Sequence, residues 1–254
     1  MLLKRVIPSI LFSGEGLYKT VKFKKKKYVG DPINTIRLFN DLKVDELILL
    51  DIDATKKNSG PNIELVEEIA SECFMPLCYG GGITSVEHAK KLFSLGVEKI
   101  CINAQALINL ELITNLSEIY GSQSIVVAID SKRSFFGKSK IFSYLGRATP
   151  KLSVEDYARK AAEAGAGEIF LTSVELEGSM NGFDLPLISR VSSAVDIPII
   201  AHGGGGELPH IVTAFEFGAS AVCCGSMFIY QGPHKAVLAN YLTEKELLII
   251  NPVI

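Results

Sequence analysis

Three stretches of the chain recur at one fixed offset of 122 residues. The matching pairs are 44–54 (VDELILLDIDA) with 166–176 (AGEIFLTSVEL), 76–83 (PLCYGGGI) with 198–206 (PIIAHGGGG), and 97–103 (VEKICIN) with 219–225 (ASAVCCG). A chance similarity would not keep one offset over three apolar runs. The repeat therefore predicts two fused halves of a larger fold, at roughly 1–121 and 122–254.

Short apolar runs alternate with amphipathic stretches along the chain. The apolar runs lie near residues 5–12, 46–52, 75–79, 99–103, 124–129, 168–173, 197–201 and 220–224. The helix-like stretches lie near residues 31–43, 61–72, 85–95, 109–119, 153–165, 184–194, 206–217 and 233–241. Continuous apolar runs suit strands that are buried on both faces of a parallel sheet. Eight strand–helix units predict an α/β fold with a single (β/α)8 TIM barrel over residues 1–254, and a doubly wound sheet is the alternative.

The composition excludes several functional classes. Lys and Arg total 26 and Asp and Glu total 28, so the net charge of −2 lacks the basic excess usual in a nucleic-acid binder. Hydrophobic residues make up 48%, which is enough for a folded core. The apolar start of the chain is interrupted by Lys4 and Arg5 and resembles neither a membrane span nor a signal peptide. We therefore expect no nucleic acid and no membrane as a partner.

The cysteines indicate a compartment. Cys73, Cys78, Cys101, Cys223 and Cys224 are odd in number and include no CxxC spacing. We expect them to be reduced core thiols in a cytoplasmic protein. The histidines do not cluster with them, so the sequence predicts no metal site.

Two glycine clusters occupy equivalent places in the two halves. Gly80–Gly82 and Gly203–Gly206 each follow an apolar run and precede a helix-like stretch. Glycine lets backbone N–H groups approach an anion, and a helix N-terminus adds a favourable dipole. A second strand end accompanies each cluster, at Asn103 and at Gly225. The pattern predicts a phosphate site in each half and a long ligand with an anion at each end, with tight turns alone as the alternative.

Carboxylates stand at the predicted strand ends. Asp51 and Asp53 close the second strand, and Asp130 closes the fifth, SIVVAID. A carboxylate at a barrel mouth can have a raised pKa and transfer protons near neutral pH. Asp130 is therefore the predicted catalytic residue, and a helix cap or a loop ion pair is the alternative.

The opposite ends of the strands carry four charged residues, Arg5, Glu46, Lys99 and Glu168. Strand alternation puts Lys99 on the same face as Asn103, so a pocket-facing Asn103 places Lys99 on the barrel axis at the floor. Two acids and two bases then form a neutral ring, because paired charges avoid the cost of burying lone ones. The ring is either a structural plug or a gate on an axial passage.

Two connections, 13–30 and 131–150, exceed the usual length of about 2–6 residues in α/β units. Both are expected on the catalytic face. The first holds six lysines, namely Lys19, Lys22, Lys24, Lys25, Lys26 and Lys27. We interpret it as a mobile lid that meets an anionic substrate, with a solvated charge run as the alternative.

The sequence resembles the cyclase subunit of imidazole glycerol phosphate synthase, the HisF family, over essentially its whole length. The matching stretches include KRVIPSILF, GDPINTIRLFND, DELILLDIDAT, MPLCYGGGITSVEHAKKLFSLGVEKICIN, YGSQSIVVAIDSKR, EAGAGEIFLTS, EGSMNGFDL and AHGGGG. The resemblance implies that a HisH-like glutaminase docks at the amino-terminal face and that ammonia crosses the barrel to a synthase site. It implies an ammonia gate at Arg5, Glu46, Lys99 and Glu168, and no metal or organic cofactor.

The resemblance also implies the identity of the site residues. Asp130 matches one of two catalytic aspartates, the general acid/base of the fifth strand. The expected phosphate- and substrate-binding residues are Lys19, Asp51, Gly82, Asn103, Thr172, Glu177, Gly178, Gly204, Gly225 and Ser226. Ala104 stands where a hydroxyl residue is usual, and Glu177 replaces an aspartate.

The second catalytic aspartate of the family is missing, because Leu11 occupies its place at the end of the first strand. Leucine transfers no proton, and the loss of one of two acid/base groups typically costs about 10²-fold or more in rate. With the gate retained, the chain looks like the divergent HisF-like paralogues found with surface-polysaccharide genes. That group implies a phosphorylated substrate and the amidation of a nucleotide-linked sugar in lipopolysaccharide synthesis. The alternatives are the cyclase of histidine biosynthesis and a non-catalytic conduit that passes on ammonia and activates the glutaminase.

Overall fold

The computed structural model describes residues 3–134, 137–144 and 149–252, and within these ranges eight parallel strands close into a barrel. The strands in chain order are β1 (Arg5–Ser13), β2 (Gly16–Val21), β3 (Lys24–Gly30), β4 (Leu47–Asp51), β5 (Leu77–Gly80), β6 (Lys99–Ile102), β7 (Ile125–Arg133), β8 (Ser139–Ile141), β9 (Glu168–Ser173), β10 (Ile199–His202), β11 (Ala221–Cys224), β12 (Tyr230–Gln231) and β13 (Ala236–Val237). The barrel consists of β1, β4–β7 and β9–β11, and it closes where Ile7 on β1 pairs with Cys223 on β11. The predicted (β/α)8 barrel is confirmed.

Helices alternate with the barrel strands. They are α1 (Pro32–Asp41), α2 (Ala54–Lys57), α3 (Ile63–Glu72), α4 (Val86–Ser94), α5 (Ala104–Ile108), α6 (Glu111–Tyr120), α7 (Val154–Glu163), α8 (Leu185–Ser192), α9 (Leu208–Glu216), α10 (Ser226–Ile229) and α11 (Glu244–Ile250). Several begin where a polar side chain accepts a backbone N–H bond, as Asp31 does for α1 and Ser153 for α7. Over the described ranges, no helix is both long enough and apolar enough to cross a membrane.

Side chains of the barrel strands alternate between the barrel axis and the helix layer. Along β7, Val126 and Ala128 point inward, whereas Val127 and Ile129 pack against the helices. The inward residues form one apolar layer across the axis: Ile7, Ile48, Cys78, Cys101, Val126, Ala128, Phe170, Ile200, Ala221 and Cys223. All five cysteines are free, and four of them are buried. An inward residue beyond this layer, such as Asp130, therefore reaches the carboxyl-end mouth of the barrel.

The first long connection, which the sequence predicts to be a mobile lid, is a β-hairpin. β2 pairs antiparallel with β1 and with β3, and the turn consists of Lys22 and Phe23, with φ of 55° and 58°. Two-residue hairpin turns favour positive φ at both positions, and they usually contain Asn or Gly. The Lys-Phe pair lacks that signal, so the sequence pattern did not indicate a hairpin.

The second long connection extends the fifth barrel strand. β7 continues to Arg133, and β8 returns beside it with Ile141 opposite Ser131. Residues 135–136 and 145–148 of the altered stretch FFGKSKIFSYLGRATPKL lie outside the described residues.

The last helix begins later than its apolar spacing suggests, so the prediction of a helix near 233–241 is wrong. The short strands β12 and β13 pair across this region, and α11 starts only at Glu244. Thr243 caps it through a reciprocal pair of bonds, in which Glu246 N donates to Thr243 Oγ1 and Thr243 N donates to Glu246 Oε2 at 2.8 Å. This Thr-x-x-Glu capping box, not the apolar spacing of the preceding residues, determines where the helix begins.

Candidate active site

A cavity of about 510 Å³ opens at the carboxyl ends of the barrel strands. Its walls include Gly82, Asn103, Asp130 and Thr172, all of which the sequence analysis places in a site. Sites for small molecules usually have volumes of about 300–1,000 Å³. The structure therefore brings the expected acid and the first glycine cluster together in one pocket of suitable size.

Asp130 faces this pocket from β7, two residues beyond the inner-layer Ala128. Asn103 Nδ2 donates a hydrogen bond to Asp130 Oδ2 at 3.3 Å. Burial raises the pKa of Asp130 to about 7, while a hydrogen bond from Thr172 opposes the rise and the charge of Glu177 adds to it. A carboxyl group with a pKa near neutrality can both give and take a proton at physiological pH.

The first glycine cluster shapes the wall beside Asp130. Gly82 has φ of 68°, and a Cβ there would lie 2.6 Å from the Gly60 carbonyl oxygen, so the position requires glycine. Asn103 is fixed by a second bond from its Nδ2 to the Ala128 carbonyl at 3.0 Å. Asp51 also lines the pocket, but its Oδ1 accepts bonds from two backbone N–H groups, of Asp53 and Ala54. Asp51 therefore holds the turn that leads into α2.

The second glycine cluster lines a much smaller cavity, of about 20 Å³. The remaining expected binding residues form its walls: Lys19, Glu177, Gly178, Gly204, Gly225 and Ser226. This cavity is much smaller than the one beside Asp130, and like that one it opens to solvent. The two halves therefore present unequal sites despite their shared glycines.

Lys19 is responsible for part of this difference. Its side chain is buried on β2, and Nζ donates to the Ser9 carbonyl oxygen at 2.9 Å. The ammonium lies against Gly225, where any Cβ would collide with it. Burial lowers the pKa of Lys19 to about 8, and the charge of Glu177 acts in the opposite direction.

Asp53 joins the hairpin to the rest of the barrel. Lys26 Nζ lies 2.6 Å from Asp53 Oδ1, and Ser13 Oγ donates to Asp53 Oδ2 at 2.5 Å. Burial acts to raise the pKa of Asp53, but these bonds with Lys26 and Ser13 outweigh it and the pKa is lowered. The carboxylate thus connects β3 of the hairpin to the loop that follows β4.

His202 is a pocket residue that the sequence analysis did not single out. It is the inward-facing end of β10 and lines both cavities. Its Nδ1 lies 3.2 Å from Thr172 Oγ1, and its ring stacks on Phe170 with centroids 4.9 Å apart. Burial, aided by the charge of Lys19, lowers the pKa of His202 to about 3, so the ring is neutral. The sequence signal that could have identified it is its position between the apolar run 197–201 and the glycine cluster Gly203–Gly206.

Leu11 occupies the position where the resemblance expects a second acid. The side chain is buried, faces both cavities and lies on β1 between Leu50 of β4 and Tyr18 of β2. The wall of the pocket is therefore apolar at this strand end.

Four charged side chains meet in a closed ring at the floor of the barrel. Arg5 Nη1 lies 2.5 Å from Glu46 Oε2, and Arg5 Nη2 lies 2.6 Å from Glu168 Oε1. Lys99 Nζ lies 3.1 Å from Glu46 Oε1 and 3.4 Å from Glu168 Oε2. Burial acts to lower the pKa of Arg5, but the carboxylates of Glu168 and Glu46 outweigh it and the pKa is raised. Each base thus bridges both acids.

This combination of fold and site defines a class of protein, the (β/α)8 barrels whose polar residues at the carboxyl ends of the strands form the site. The sequence profile described as "Histidine biosynthesis protein" matches residues 5–235. That span includes every barrel strand and both glycine clusters.

Curated relatives narrow the class further. A protein of Pseudomonas aeruginosa, provisionally named imidazole glycerol phosphate synthase subunit hisF2, is 51% identical over 95% of this chain and 96% of its own length. A protein of Vibrio vulnificus with the same provisional name and the symbol hisF3 is 44% identical, over 97% of this chain and 95% of its own. A protein of Leptospira borgpetersenii, provisionally named imidazole glycerol phosphate synthase subunit HisF, is 43% identical over 98% of this chain and 99% of its own length. The chain belongs to the histidine biosynthesis protein family and is a HisF-like member of it.

Proposed function

We propose that this chain is the ammonia-accepting synthase subunit of a glutamine amidotransferase. The observation that carries the proposal is the closed ring of Arg5, Glu46, Lys99 and Glu168 at one end of a barrel whose other end holds Asp130. Ammonia released below the floor would pass the ring, cross the inner layer and emerge in the 510 Å³ cavity. Small side chains in that layer, such as those of Ala128 and Ala221, favour such a passage.

The proposed ammonia donor is a HisH-like glutaminase that docks on the amino-terminal face. Large apolar side chains are exposed there, where helices lead back to strands: Leu42, Phe74, Ile119 and Phe217. Exposed apolar groups gathered on one face are typical of a partner surface. The charged ring lies on the same face, so a glutaminase seated there would release ammonia next to it.

Docking is tested with one variant on each face. Phe74, 85% exposed, is replaced in Phe74→Asp, and Val21, 50% exposed at the hairpin, is replaced in the control Val21→Asp. We expect Phe74→Asp to abolish co-elution with the glutaminase and its activation, and Val21→Asp to leave both intact. Equal effects of the two variants would contradict the proposed docking face.

The proposed acceptor is a phosphorylated, nucleotide-linked sugar that is amidated for surface polysaccharide. Lys24, Lys25, Lys26 and Lys56 line the large cavity, and their charges favour an anionic substrate. Ammonia would attack the carbon of an activated acyl group on this substrate, the activating group would leave together with the acyl oxygen, and Asp130 would take the proton released as the new carbon–nitrogen bond forms. The pKa of Asp130, raised to about 7, suits this proton transfer.

The reaction is tested in the complex of both subunits with amide-¹⁵N-labelled glutamine and a nucleotide-linked sugar that carries an activated acyl group. We expect mass spectrometry to show the label in the sugar and Asp130→Asn to reduce its incorporation by about 10²-fold or more. If the sugar receives no label in the complex with the unmodified chain, the proposed acceptor is wrong.

A non-catalytic conduit is the second candidate, and Leu11 is the observation that favours it. The buried Leu11 faces the cavity where a second acid would stand. A conduit would pass ammonia to a third protein, so product formation in the full system would survive Asp130→Asn. The same variant therefore separates the two candidates.

The other alternative, the cyclase of the histidine pathway, is tested through Leu11. We expect the unmodified chain to fail to complement a strain that lacks the cyclase, because Leu11 transfers no proton. Complementation by the unmodified chain would favour the cyclase over amidation, and gain of complementation by Leu11→Asp would show that this residue alone redirects the site.

We also propose that the barrel consists of two repeated halves. Residues 122 positions apart have matching locations: Glu46 and Glu168 both belong to the floor ring, and Cys101 and Cys223 both belong to the inner layer. These equivalences support an internal duplication. Each half expressed alone, at 1–121 and 122–254, is expected to form soluble oligomers that restore a complete barrel.

A further inference from the structure

Three inward-facing side chains lie next to one another across neighbouring strands of the barrel. In the register of the sheet, Asp130 on β7 pairs with Thr172 on β9, and Thr172 pairs with His202 on β10. Each lies two residues beyond an inner-layer residue of its own strand: Ala128, Phe170 and Ile200. Because side chains alternate along a strand, all three face the barrel axis. They therefore form one polar row between the apolar inner layer and the large cavity, which they line.

Hydrogen bonds connect the three side chains of this row. Burial raises the pKa of Asp130, and a hydrogen bond from the Thr172 side chain acts against that rise, so the hydroxyl donates to the carboxylate. Thr172 Oγ1 also lies 3.2 Å from His202 Nδ1. A threonine hydroxyl has one hydrogen and two acceptor lone pairs. Because that hydrogen goes to Asp130, Thr172 accepts from His202, and Nδ1 carries the proton of the ring.

The second ring nitrogen of His202 is consequently an acceptor. The ring is neutral, because burial, aided by the charge of Lys19, lowers the pKa of His202 to about 3. A neutral imidazole has one N–H group, so a proton on Nδ1 leaves Nε2 with a lone pair. Among the residues that the structure describes, Nε2 has no hydrogen-bond partner, and it is not one of their buried unpartnered atoms. Its lone pair is therefore open to the cavities that His202 lines.

The position and chemistry of this acceptor suit ammonia. The polar row is the first group of polar side chains above the apolar layer on these three strands, and ammonia has three N–H donors. A bond to Nε2 uses one of them and leaves the lone pair of ammonia free to attack carbon. A protonated imidazole would instead donate to that lone pair and block it. An anionic oxygen offers no hydrogen to Nε2, so the phosphate groups of a substrate do not compete for this place.

We propose that His202 binds the ammonia nucleophile through Nε2 and that Thr172 orients the ring by accepting the bond from Nδ1. This inference rests on the proposed function, because the bound ammonia is the one that crosses the barrel and attacks the acyl carbon. Asp130 keeps its place as the group that takes the released proton. The stack of the His202 ring on Phe170, with centroids 4.9 Å apart, holds the ring plane. His202 thus acquires a role that neither the internal repeat nor the family resemblance assigns.

The first test observes the ring nitrogens by NMR in the whole chain labelled with ¹⁵N-histidine. His202→Gln identifies the signals of His202, and His234→Gln, at an exposed position, is the control that should leave them unchanged. We expect the proton on Nδ1 in the unmodified chain and in Thr172→Ser, which keeps the hydroxyl. Thr172→Val should give a mixture of both tautomers. A proton on Nε2 in the unmodified chain, or no response to Thr172→Val, would overturn the inference.

The second test titrates the same sample with ammonium chloride at pH 9, where part of the ammonium is present as ammonia. Tetramethylammonium chloride is the matched salt, because its cation has no N–H group. We expect the Nε2 signal of His202 to shift saturably with ammonium chloride and to stay unchanged with the matched salt. Equal shifts with both salts, or no saturable shift, would mean that Nε2 does not bind ammonia.

The third test measures function in the complex of both subunits, with ¹⁵N-ammonium chloride in place of glutamine. His202→Leu removes the acceptor, whereas His202→Gln supplies an amide oxygen in its place. Because one hydrogen bond is lost, we expect His202→Leu to raise the KM for ammonia about tenfold and to change kcat by less than about threefold. His202→Gln should recover most of the loss, and His234→Gln should match the unmodified chain. Equal losses in the Leu and Gln variants would show that the ring only supports the fold.

The outcomes separate this inference from the proposed function. If ammonia shifts the Nε2 signal saturably but no label reaches the sugar, His202 binds ammonia and the proposed acceptor is wrong. If label reaches the sugar equally well in His202→Leu and in the unmodified chain, the amidation stands and the role of His202 is wrong.

Discussion

Asn103 Nδ2 lies 3.3 Å from Asp130 Oδ2, so the end of β6 is hydrogen-bonded directly to the carboxyl group on β7. The same amide nitrogen also holds the Ala128 carbonyl at 3.0 Å. The acid is thereby fixed in the large cavity without a charged partner at hydrogen-bond distance among the residues that the structure describes. That environment has measurable consequences for stability and pH.

Asp130 is expected to make the protein less stable as pH rises toward neutrality. Its pKa is raised from 3.8 to about 7, so between these values the folded state holds a proton that the unfolded state has lost. The free energy of unfolding therefore falls as pH rises from 4 to 7, and this contribution is fully present only below the unfolded pKa. Urea denaturation at each pH should show Asp130→Asn without this fall, and more stable than the unmodified chain at pH 8 by about 2–4 kcal/mol.

Asp41→Asn is the control for that experiment, since Asp41 is exposed at the end of α1. Its stability difference from the unmodified chain is expected to stay constant between pH 5 and 8. A constant difference for Asp130→Asn as well would show that the Asp130 carboxyl titrates as it does in water.

Removal of Lys99 is expected to destabilise the floor strongly. Lys99→Met leaves Glu46 and Glu168 with Arg5 alone, and breaking a buried pair from one side typically costs about 3–5 kcal/mol. Because Lys99 is partly exposed, we expect a loss of about 2–3 kcal/mol in the free energy of unfolding, measured by urea denaturation at pH 8.

The matched variant is Arg37→Met, which breaks an exposed pair with Glu72, and exposed pairs contribute about 0–1 kcal/mol. If Lys99→Met costs no more than Arg37→Met, the ring does not support the floor as a closed unit.

Gly178→Ala is expected to displace the hairpin. Gly14 and Gly178 have similar positive φ, of 66° and 71°, but a Cβ meets nothing within 4 Å at Gly14 and collides with Thr20 O at Gly178. Gly14→Ala should therefore lower the free energy of unfolding by the backbone strain alone, about 1 kcal/mol. Gly178→Ala should lower it by that strain and by the collision together, about 2–3 kcal/mol. Thermal denaturation gives the two costs, and hydrogen exchange at Phe23 should rise only in Gly178→Ala. Equal results at both positions would mean that the hairpin is not packed against Gly178.

Loss of the capping box of α11 is expected to lower the stability of the protein by less than Gly178→Ala does. Thr243→Ala removes the acceptor for Glu246 N and should cost about 1 kcal/mol, or about 2–4 °C in Tm for a chain of this size. Glu246→Gln keeps a capping-box partner and should lower Tm by less. A larger loss for Glu246→Gln would show that the charge of Glu246, and not the cap geometry, holds this helix.

Local sequence pattern predicted the barrel well because its strands are continuous apolar runs and its helices have polar caps. The predicted runs 5–12 and 168–173 correspond to Arg5–Ser13 and Glu168–Ser173. Strand alternation, a purely local property, also predicted that Lys99 and Asn103 share the inner face. Where the local signal was atypical, as in the Lys22–Phe23 turn and the start of α11, the prediction was wrong.

The sequence by itself therefore determined the architecture, the four charges at the floor, and the presence of Asp130 on the fifth barrel strand. Only the tertiary structure decided how those residues act. The pKa of Asp130 depends on burial among side chains from other strands, and the size of the second cavity depends on Glu177 meeting a hairpin that is 154 residues away from it in the chain. Such contacts follow from distances across the closed barrel, and neither spacing nor an internal repeat encodes them. Two halves with the same glycines thus line one large cavity and one small cavity.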